Sequence, residues 1–311
     1  MTQISFKGQD ILSTEQFSRD DILHVCEIAK SFEPVAQKKE TSDIMKGCVM
    51  ASLFYEPSTR TRSSFETAMA RLGGRTVTVI GEADSSLSKG ETLYDTGKMM
   101  EAYADVIVMR HKIVGSVAEM ALGASVPVIN AGDGHGQHPT QALLDMYTIL
   151  KEKGRIDGLK IVMAGDLKYG RTVHSLLLLL RHFDVKLVFA SPAALKMPAE
   201  YENFLKEKNI PFEVTENFGE AIVGADVLYT TRVQRERFDD LEEYERLKLA
   251  FAVNRAFIEK FNPEITIMHP LPRVGEVSMD VDDLPGAAYF RQAANAVPVR
   301  MALLALVTGR V

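Results

Sequence analysis

"CVMASLFYEPSTRTRSSFE", residues 48–66, runs from an apolar stretch of strand length through a proline-centred polar corner into a segment that reads as a helix start. A short apolar run bounded by turn chemistry is a buried strand, and a strand feeding straight into a helix is half of a βαβ unit. The corner itself is crowded with anion-binding chemistry. Ser58, Thr59 and Thr61 supply hydroxyls, Arg60 a guanidinium, and Pro57 precedes them. A helix beginning near Ser58 or Thr59 aims unpaired N–H groups and the positive end of its dipole at the space above the strand. Ser58 alone would be read as a helix cap. Proline, three hydroxyls and Arg60 within one turn point instead to an anion site.

The same alternation continues along the chain. Strand-like runs are "CVMASLF" (48–54), "RTVTVIG" (75–81), "ADVIVMR" (104–110) and "VPVINAG" (126–132) in the first half. In the second they are "LKIVMAG" (159–165), "VKLVFAS" (185–191), "ADVLYTTR" (225–232) and "ITIMHPL" (265–271). The halves rhyme. "PSTRT" (57–61) and "KYGRT" (168–172) each follow a first strand with an arginine at a helix start, and a third strand in each opens with Ala-Asp-Val and closes on Arg110 or Arg232. This predicts an α/β fold of two related domains, each with a mainly parallel central sheet flanked by helices, and ligands at the carboxyl ends of the strands.

The expected domains are residues 1–150 with 290–311, and residues 151–289. "HPTQALLDMYTILKEKG" (138–154) has helical apolar spacing, proline in its first turn and glycine at its end, and should link them. A last amphipathic helix over roughly Gln292 to Val307 contains Pro298, which predicts a kink or a start near residue 297. No Ser/Gly linker occurs, so the domains are expected to touch closely around a cleft.

At 311 residues the chain exceeds the ~250–300 at which single cores stop growing, consistent with two domains. With 46% hydrophobic and 25% charged residues it has the profile of a globular enzyme. A net charge of −6 argues against a nucleic-acid surface, which needs clustered Lys and Arg. Cys26 and Cys48 are too few for a disulfide framework and read as core residues of a reducing compartment. "MTQISFKGQD" lacks the features of a signal peptide, and apolar runs such as Leu176 to Leu180 are far shorter than the ~20 residues that span a bilayer. A cytoplasmic protein without membrane or nucleic-acid partners is expected.

Phe54-Tyr55-Glu56-Pro57-Ser58-Thr59-Arg60-Thr61 lacks the glycines and the Lys-Ser/Thr ending of a Walker loop. It resembles the carbamoyltransferase signature, at which carbamoyl phosphate sits on a helix start. "GDLKYGRTVHSLLLLL" (165–180), "TTRVQRER" (230–237) and "HPLPRVGE" (269–276) resemble the aspartate carbamoyltransferase family in its catalytic chain, and the likeness runs from about Ile11 to the final helix. Ornithine carbamoyltransferases carry a cysteine where this chain has Pro270 and lack an Arg-Val-Gln segment here. A dicarboxylate needs two cationic clamps, which Arg171 and Arg232 provide.

The resemblance implies transfer of the carbamoyl group of carbamoyl phosphate to L-aspartate in pyrimidine biosynthesis, with no cofactor, no metal and no covalent intermediate. It implies that Ser58, Thr59, Arg60 and Thr61 hold the phosphate, with Arg110 and Ser85 also reaching it. Arg110, Thr61 and His138 would donate to the carbonyl oxygen. Gln141 and the backbone carbonyls of Leu271 and Pro270 would accept from the carbamoyl NH₂, with Pro272 shaping that turn. Aspartate would be bound by Arg171, Arg232, Gln234 and Lys89, and the catalytic set would be Arg60, Thr61, Lys89, Arg110, His138 and Gln141. No residue stands out as the base, so the departing phosphate would take the amine proton.

In the resembling family the loop "DSSLSKGET" (84–92) comes from a neighbouring subunit, which implies a homotrimer with shared active sites. A single lysine before Gly90 leaves Ser86 as an alternative to Ser85. Separate regulatory chains or other pyrimidine-pathway enzymes are compatible partners.

Other readings are weaker. His135 and His138 at i, i+3 lack a third metal ligand. Gly165 and Gly170 lack the middle glycine of a dinucleotide loop. Arg235 and Arg237 read as a solvated charged face, and His24, His174 and His182 as packing or surface residues. A carbamoyltransferase for another amine would not need Arg171, Arg232 and Gln234 together, and a non-catalytic scaffold should have lost part of the phosphate set.

Overall fold

The computed structural model describes residues 5–83, 85–235, 238, 240–248 and 250–311, without the side chains of Leu241 and Glu243. The chain divides into two units, one running up to Tyr147 and including Asn295–Val311, the other Thr148–Ala294.

In order, the first part carries α1 (Arg19–Ser31), α2 (Glu33–Ala36), β1 (Val49–Phe54), α3 (Thr59–Arg71), β2 (Arg75–Ile80), α4 (Leu93–Met100), β3 (Val106–His111), α5 (Ser116–Gly123), β4 (Val128–Asp133) and α6 (Pro139–Lys153). There follow β5 (Leu159–Ala164), α7 (Arg171–Leu180), β6 (Val185–Ala190), α8 (Ala199–Glu207), β7 (Phe212–Thr215), α9 (Phe218–Ile222), β8 (Val227–Thr230), α10 (Leu241–Leu247), α11 (Arg255–Phe261), β9 (Thr266–Met268) and α12 (Tyr289–Val307). The unit boundaries fall inside α6 and α12.

Each unit is built on one parallel sheet, in the order β2-β1-β3-β4 and β7-β6-β5-β8-β9. The α/β class expected from the alternation, a parallel sheet flanked by helices in each of two units, is the one found. Removing β7 leaves the second sheet as β6-β5-β8-β9, which matches the first strand for strand. The rhyme in the sequence thus reflects one topology used twice.

The repeated Ala-Asp-Val has a specific task. Asp105 Oδ2 accepts the N–H of Val49 at 2.8 Å, while the Asp105 N–H donates to the Val49 carbonyl, also at 2.8 Å. Asp226 does the same with Lys160, at 2.9 Å in both directions. In each unit an aspartate at the foot of one central strand satisfies a donor at the start of its neighbour and pins the register of the pair.

The helices that cover the sheets are set by burial. Leu176 to Leu180 of α7 are all buried, each contributing about 2 kcal/mol relative to an exposed position. α1 starts with a capping box in which Ser18 and Asp21 exchange side-chain and backbone bonds.

Two expectations need correction. β7 was not foreseen: it is a four-residue edge strand whose Glu213 and Val214 are exposed, so it lacks the buried run that marks the central strands and is shorter than the other edge strand, β2. The last helix begins at Tyr289, not near Gln292 or 297, and runs through Pro298. Val299, Met301, Ala302, Leu303 and Leu304 are all fully buried, and that burial outweighs the one backbone bond the proline removes.

Candidate active site

At the end of β1 the chain turns through Tyr55, Glu56 and Pro57 into α3, with Ser58 at the N-cap. The Ser58 hydroxyl makes no capping hydrogen bond. The first N–H of α3 to find a helical acceptor is that of Arg62, 3.2 Å from the Ser58 carbonyl. The donors of Thr59, Arg60 and Thr61 precede it at the positive end of the helix. Thr61 is buried, whereas Thr59 and Arg60 are exposed. Desolvation lowers the Arg60 pKa from its ordinary value.

Arg110 is the last residue but one of β3, directly beside Phe54 in the parallel register. Its guanidinium is buried; Nη2 lies 2.9 Å from Glu56 Oε2 and Nη1 donates to the Ala131 carbonyl at 3.3 Å. The next strand, β4, leads into α6, which brings a buried His138 and a half-buried Gln141 to the same edge of the sheet. Gln141 Nε2 donates to Asp145 Oδ1 at 2.9 Å. Adjacent strand ends therefore gather Ser58, Thr59, Arg60, Thr61, Arg110, His138 and Gln141, as parallel topology requires.

A further residue lies beneath this corner. Arg300 of α12 is fully buried, stacks on the Phe65 ring at 4.6 Å, and donates to the Ser64 hydroxyl and, at 3.4 Å, to the Thr61 carbonyl. Its Nε has no partner. Burial first, and then the charge of Arg110, push its pKa down to about 9. The sequence reading left Arg300 and Glu56 unassigned; the available signal for Arg300 was a lone cation inside the apolar run of residues 296–307.

Ser85 and Lys89 follow β2, on a short 3₁₀ turn at Ser86–Lys89. The Ser85 hydroxyl donates to the Glu82 carbonyl at 2.8 Å. Lys89 is exposed, and among the described residues its side chain has no hydrogen-bond or ion-pair partner that would join it to the α3 corner.

In the second unit the matching corner joins β5 to α7. Gly165 has φ +98°, and a Cβ there would lie 2.4 Å from the Thr231 carbonyl, so only glycine permits this approach of the two strand ends. Asp166 is buried and accepts the N–H groups of Tyr169 at 2.9 Å and Gln234 at 3.3 Å. Burial raises its carboxyl pKa, opposed by those bonds and by Arg232. The Tyr169 carbonyl accepts both the Arg171 N–H at 3.0 Å and Gln234 Nε2 at 2.8 Å. Tyr169 thus ties Arg171 to Gln234, 65 residues on from Tyr169, with Arg232 close enough for its charge to act on Asp166.

After β9, His269 opens the loop carrying Pro270, Leu271 and Pro272, with a cis Leu271-Pro272 bond. Among the described residues, nothing donates a hydrogen bond to the Pro270 or the Leu271 carbonyl. Of the remaining candidates, Arg235 is exposed and Arg237 lies outside the described residues. His174 packs on Tyr201 with ring centroids 4.3 Å apart, His24 lies 4.0 Å from Glu27, and His182 accepts from Arg181. Among the described residues no three His, Cys, Asp or Glu side chains gather as a metal site.

Residues 9–151 match the carbamoyl-P binding domain of aspartate/ornithine carbamoyltransferases, and residues 157–307 match the Asp/Orn binding domain. The aspartate carbamoyltransferase catalytic subunit of Leptospira biflexa is 52% identical over 305 residues, 98% of each chain. The catalytic subunit of M. jannaschii aspartate transcarbamoylase aligns with a TM-score of 0.90 at 47% identity, covering 95% of this chain and 96% of that one. Aspartate transcarbamoylase from Trypanosoma cruzi, in complex with carbamoyl phosphate and aspartate, gives 0.89 at 41% identity over 97% of both chains. On likeness of this extent in both sequence and fold, the chain belongs to the aspartate carbamoyltransferase catalytic-chain family.

Proposed function

We propose that this chain transfers the carbamoyl group of carbamoyl phosphate to the amino group of L-aspartate, giving N-carbamoyl-L-aspartate and phosphate, the second step of de novo pyrimidine synthesis. The observation that carries this reading is the α3 corner. A serine at the N-cap withholds its hydroxyl from the helix, so hydroxyls, early N–H groups and Arg60 are left for a phosphate. The unit up to Tyr147 is the carbamoyl phosphate-binding domain, and the unit from Thr148 the aspartate-binding domain.

In the reaction the amine lone pair forms the N–C bond, the C–O bond to phosphate breaks with its electrons going to the phosphate oxygen, and the departing phosphate takes the amine proton. Ser58, Thr59, Arg60, Thr61 and Arg110 bind the phosphate. Thr61, Arg110 and His138 donate to the carbonyl oxygen as negative charge grows on it. Gln141 and the carbonyls of Leu271 and Pro270 accept from the carbamoyl NH₂, the turn shaped by Pro272. Arg171, Arg232 and Gln234 clamp the two aspartate carboxylates. With no covalent step, most of the rate comes from positioning and preorganised donors.

The working form is a homotrimer in which Ser85 and Lys89 serve a neighbouring copy. What supports this is the exposed Lys89, without a side-chain partner among the described residues, and the edge strand β2 that precedes it, which leaves Val77 46% and Ile80 54% exposed. Two free, buried cysteines agree with a reducing, cytoplasmic setting, and among the described residues no helix is long and apolar enough to cross a membrane.

The deciding experiment is a colorimetric assay for the carbamoylated product, offering carbamoyl phosphate with aspartate or with ornithine. Product with aspartate alone is expected. Product with ornithine alone would overturn the choice of acceptor, and product with neither would overturn the enzymatic reading.

A further inference from the structure

We propose that Asp145 and His269 are positioning residues that set the preference for carbamoyl over acetyl phosphate. The inference rests on the reading of Gln141 and Leu271 as acceptors for the carbamoyl NH₂. Carbamoyl and acetyl groups are nearly the same size and differ by NH₂ against CH₃. A site tells them apart only through oxygens aimed at the NH₂, which are left unpaired beside a methyl group.

A glutamine amide can face either way, so something must choose its orientation. Asp145 is fully buried and lies 2.9 Å from Gln141 Nε2. A carboxylate only accepts, so the NH₂ end of Gln141 must face it and the carbonyl oxygen is turned away. Among the described residues nothing donates to that oxygen. Asp145 therefore makes Gln141 an acceptor toward the ligand.

The second acceptor is held by a different device. Leu271 has φ +55°, a left-handed conformation that a residue with a side chain adopts only when its surroundings impose it. Its N–H donates to His269 Nδ1 at 2.8 Å. The His269 N–H donates to Gln292 Oε1, also at 2.8 Å, and His269 Nε2 lies 2.8 Å from Glu276 Oε1. Glu276 Oε2 in turn accepts the Val274 N–H at 2.9 Å.

With Nδ1 accepting, the ring proton belongs on Nε2, the nitrogen that lies 2.8 Å from Glu276 Oε1. Burial raises the Glu276 carboxyl, but the bonds from His269 and the Val274 N–H outweigh it and leave the pKa below its ordinary value. An imidazole and a carboxylate, both buried, thus brace the loop from its two ends and aim the Leu271 carbonyl.

The test compares three variants of the whole enzyme. Asp145→Asn offers an NH₂ as well as an oxygen, so the Gln141 amide is free to turn over. His269→Gln reaches toward Glu276 but loses the acceptor for Leu271. His269→Asn keeps an oxygen placed for the N–H two residues on, as in an Asx turn. The readout is the ratio of the acetyl phosphate inhibition constant to the carbamoyl phosphate KM, with inhibition by inorganic phosphate as control.

The ratio is expected to fall about tenfold in Asp145→Asn and in His269→Gln, the effect of one unpaired buried acceptor, and to stay within about twofold in His269→Asn. Phosphate inhibition should be unchanged in all three. An unchanged ratio in Asp145→Asn and His269→Gln would overturn the inference. Equal losses in the two His269 variants would reduce that position to packing and overturn its half. A parent enzyme with no preference for carbamoyl phosphate would overturn the acceptor reading instead. Two separate positions keep the test decisive should one substitution prevent folding.

Discussion

Glu56 Oε2 lies 2.9 Å from Arg110 Nη2, so the arginine proposed for phosphate is held by a carboxylate from the same corner. An incoming phosphate must take over a cation that already has a partner, and the exchange costs little because one ion pair of the buried Arg110 replaces another. Glu56→Gln leaves the buried Arg110 uncompensated. It should lower stability by about 2 kcal/mol, less than for a fully buried pair because Glu56 is part-exposed. It should also make inorganic phosphate more stabilising than in the parent. Thermal melts with and without phosphate check both, and an equal phosphate shift in the two proteins would refute the relationship.

Arg300 is a buried cation bonded to neutral oxygens, and its depressed pKa states that the fold holds this charge at a cost. The guanidinium stays protonated at working pH, so the cost is present throughout. Arg300→Met keeps the stem and removes the charge. Stability should hold or rise, while the KM for carbamoyl phosphate rises about fivefold, the worth of about 1 kcal/mol of lost long-range attraction. A lower melting temperature with unchanged KM would make Arg300 purely structural.

Gly165→Ala puts a methyl group 2.4 Å from the Thr231 carbonyl at φ +98°. Something in the backbone must shift, at a cost of about 2 kcal/mol or more. The same displacement moves Asp166 and Gln234, so the aspartate KM should rise more than the carbamoyl phosphate KM. Urea denaturation and separate substrate titrations would show it.

Burial lowers the His111 pKa, and the nearby Glu82, 3.3 Å from Nε2, does not restore it. Above about pH 6.5 the ring is neutral in both folded and unfolded chains. Below it the unfolded chain takes a proton that the folded chain refuses, so stability is lost as pH falls from there towards the folded pKa. His111→Gln should therefore lose less stability than the parent between pH 7 and 5. Equal pH slopes of the urea midpoints would count against this.

Shared sites can be tested by subunit exchange. Arg60→Ala and Lys89→Ala proteins, each inactive alone, should regain part of the activity when mixed and allowed to exchange. If Lys89 served its own chain, no mixture would recover.

The local chemistry of this protein was legible in its sequence. Buried strands must be apolar runs, their ends must turn through polar residues, and a phosphate corner must carry hydroxyls and a guanidinium, so β1, α3 and the Ser58–Thr61 cluster could be read directly. Even the doubled topology showed, because Asp105 and Asp226 meet the same need at the same place in each sheet. Position 213 was silent, since a strand of four residues with Glu213 and Val214 exposed is too short to leave the β-branched run that gave away the other edge strand, β2.

Tertiary structure alone decided which side chains answer one another. That Glu56 holds Arg110, that Arg300 sits beneath Thr61 from 239 residues away, and that His269 and Glu276 brace Leu271 all depend on distances between atoms. A hydrogen bond or ion pair acts over about 3 Å, and residue order does not encode that separation until the chain has folded.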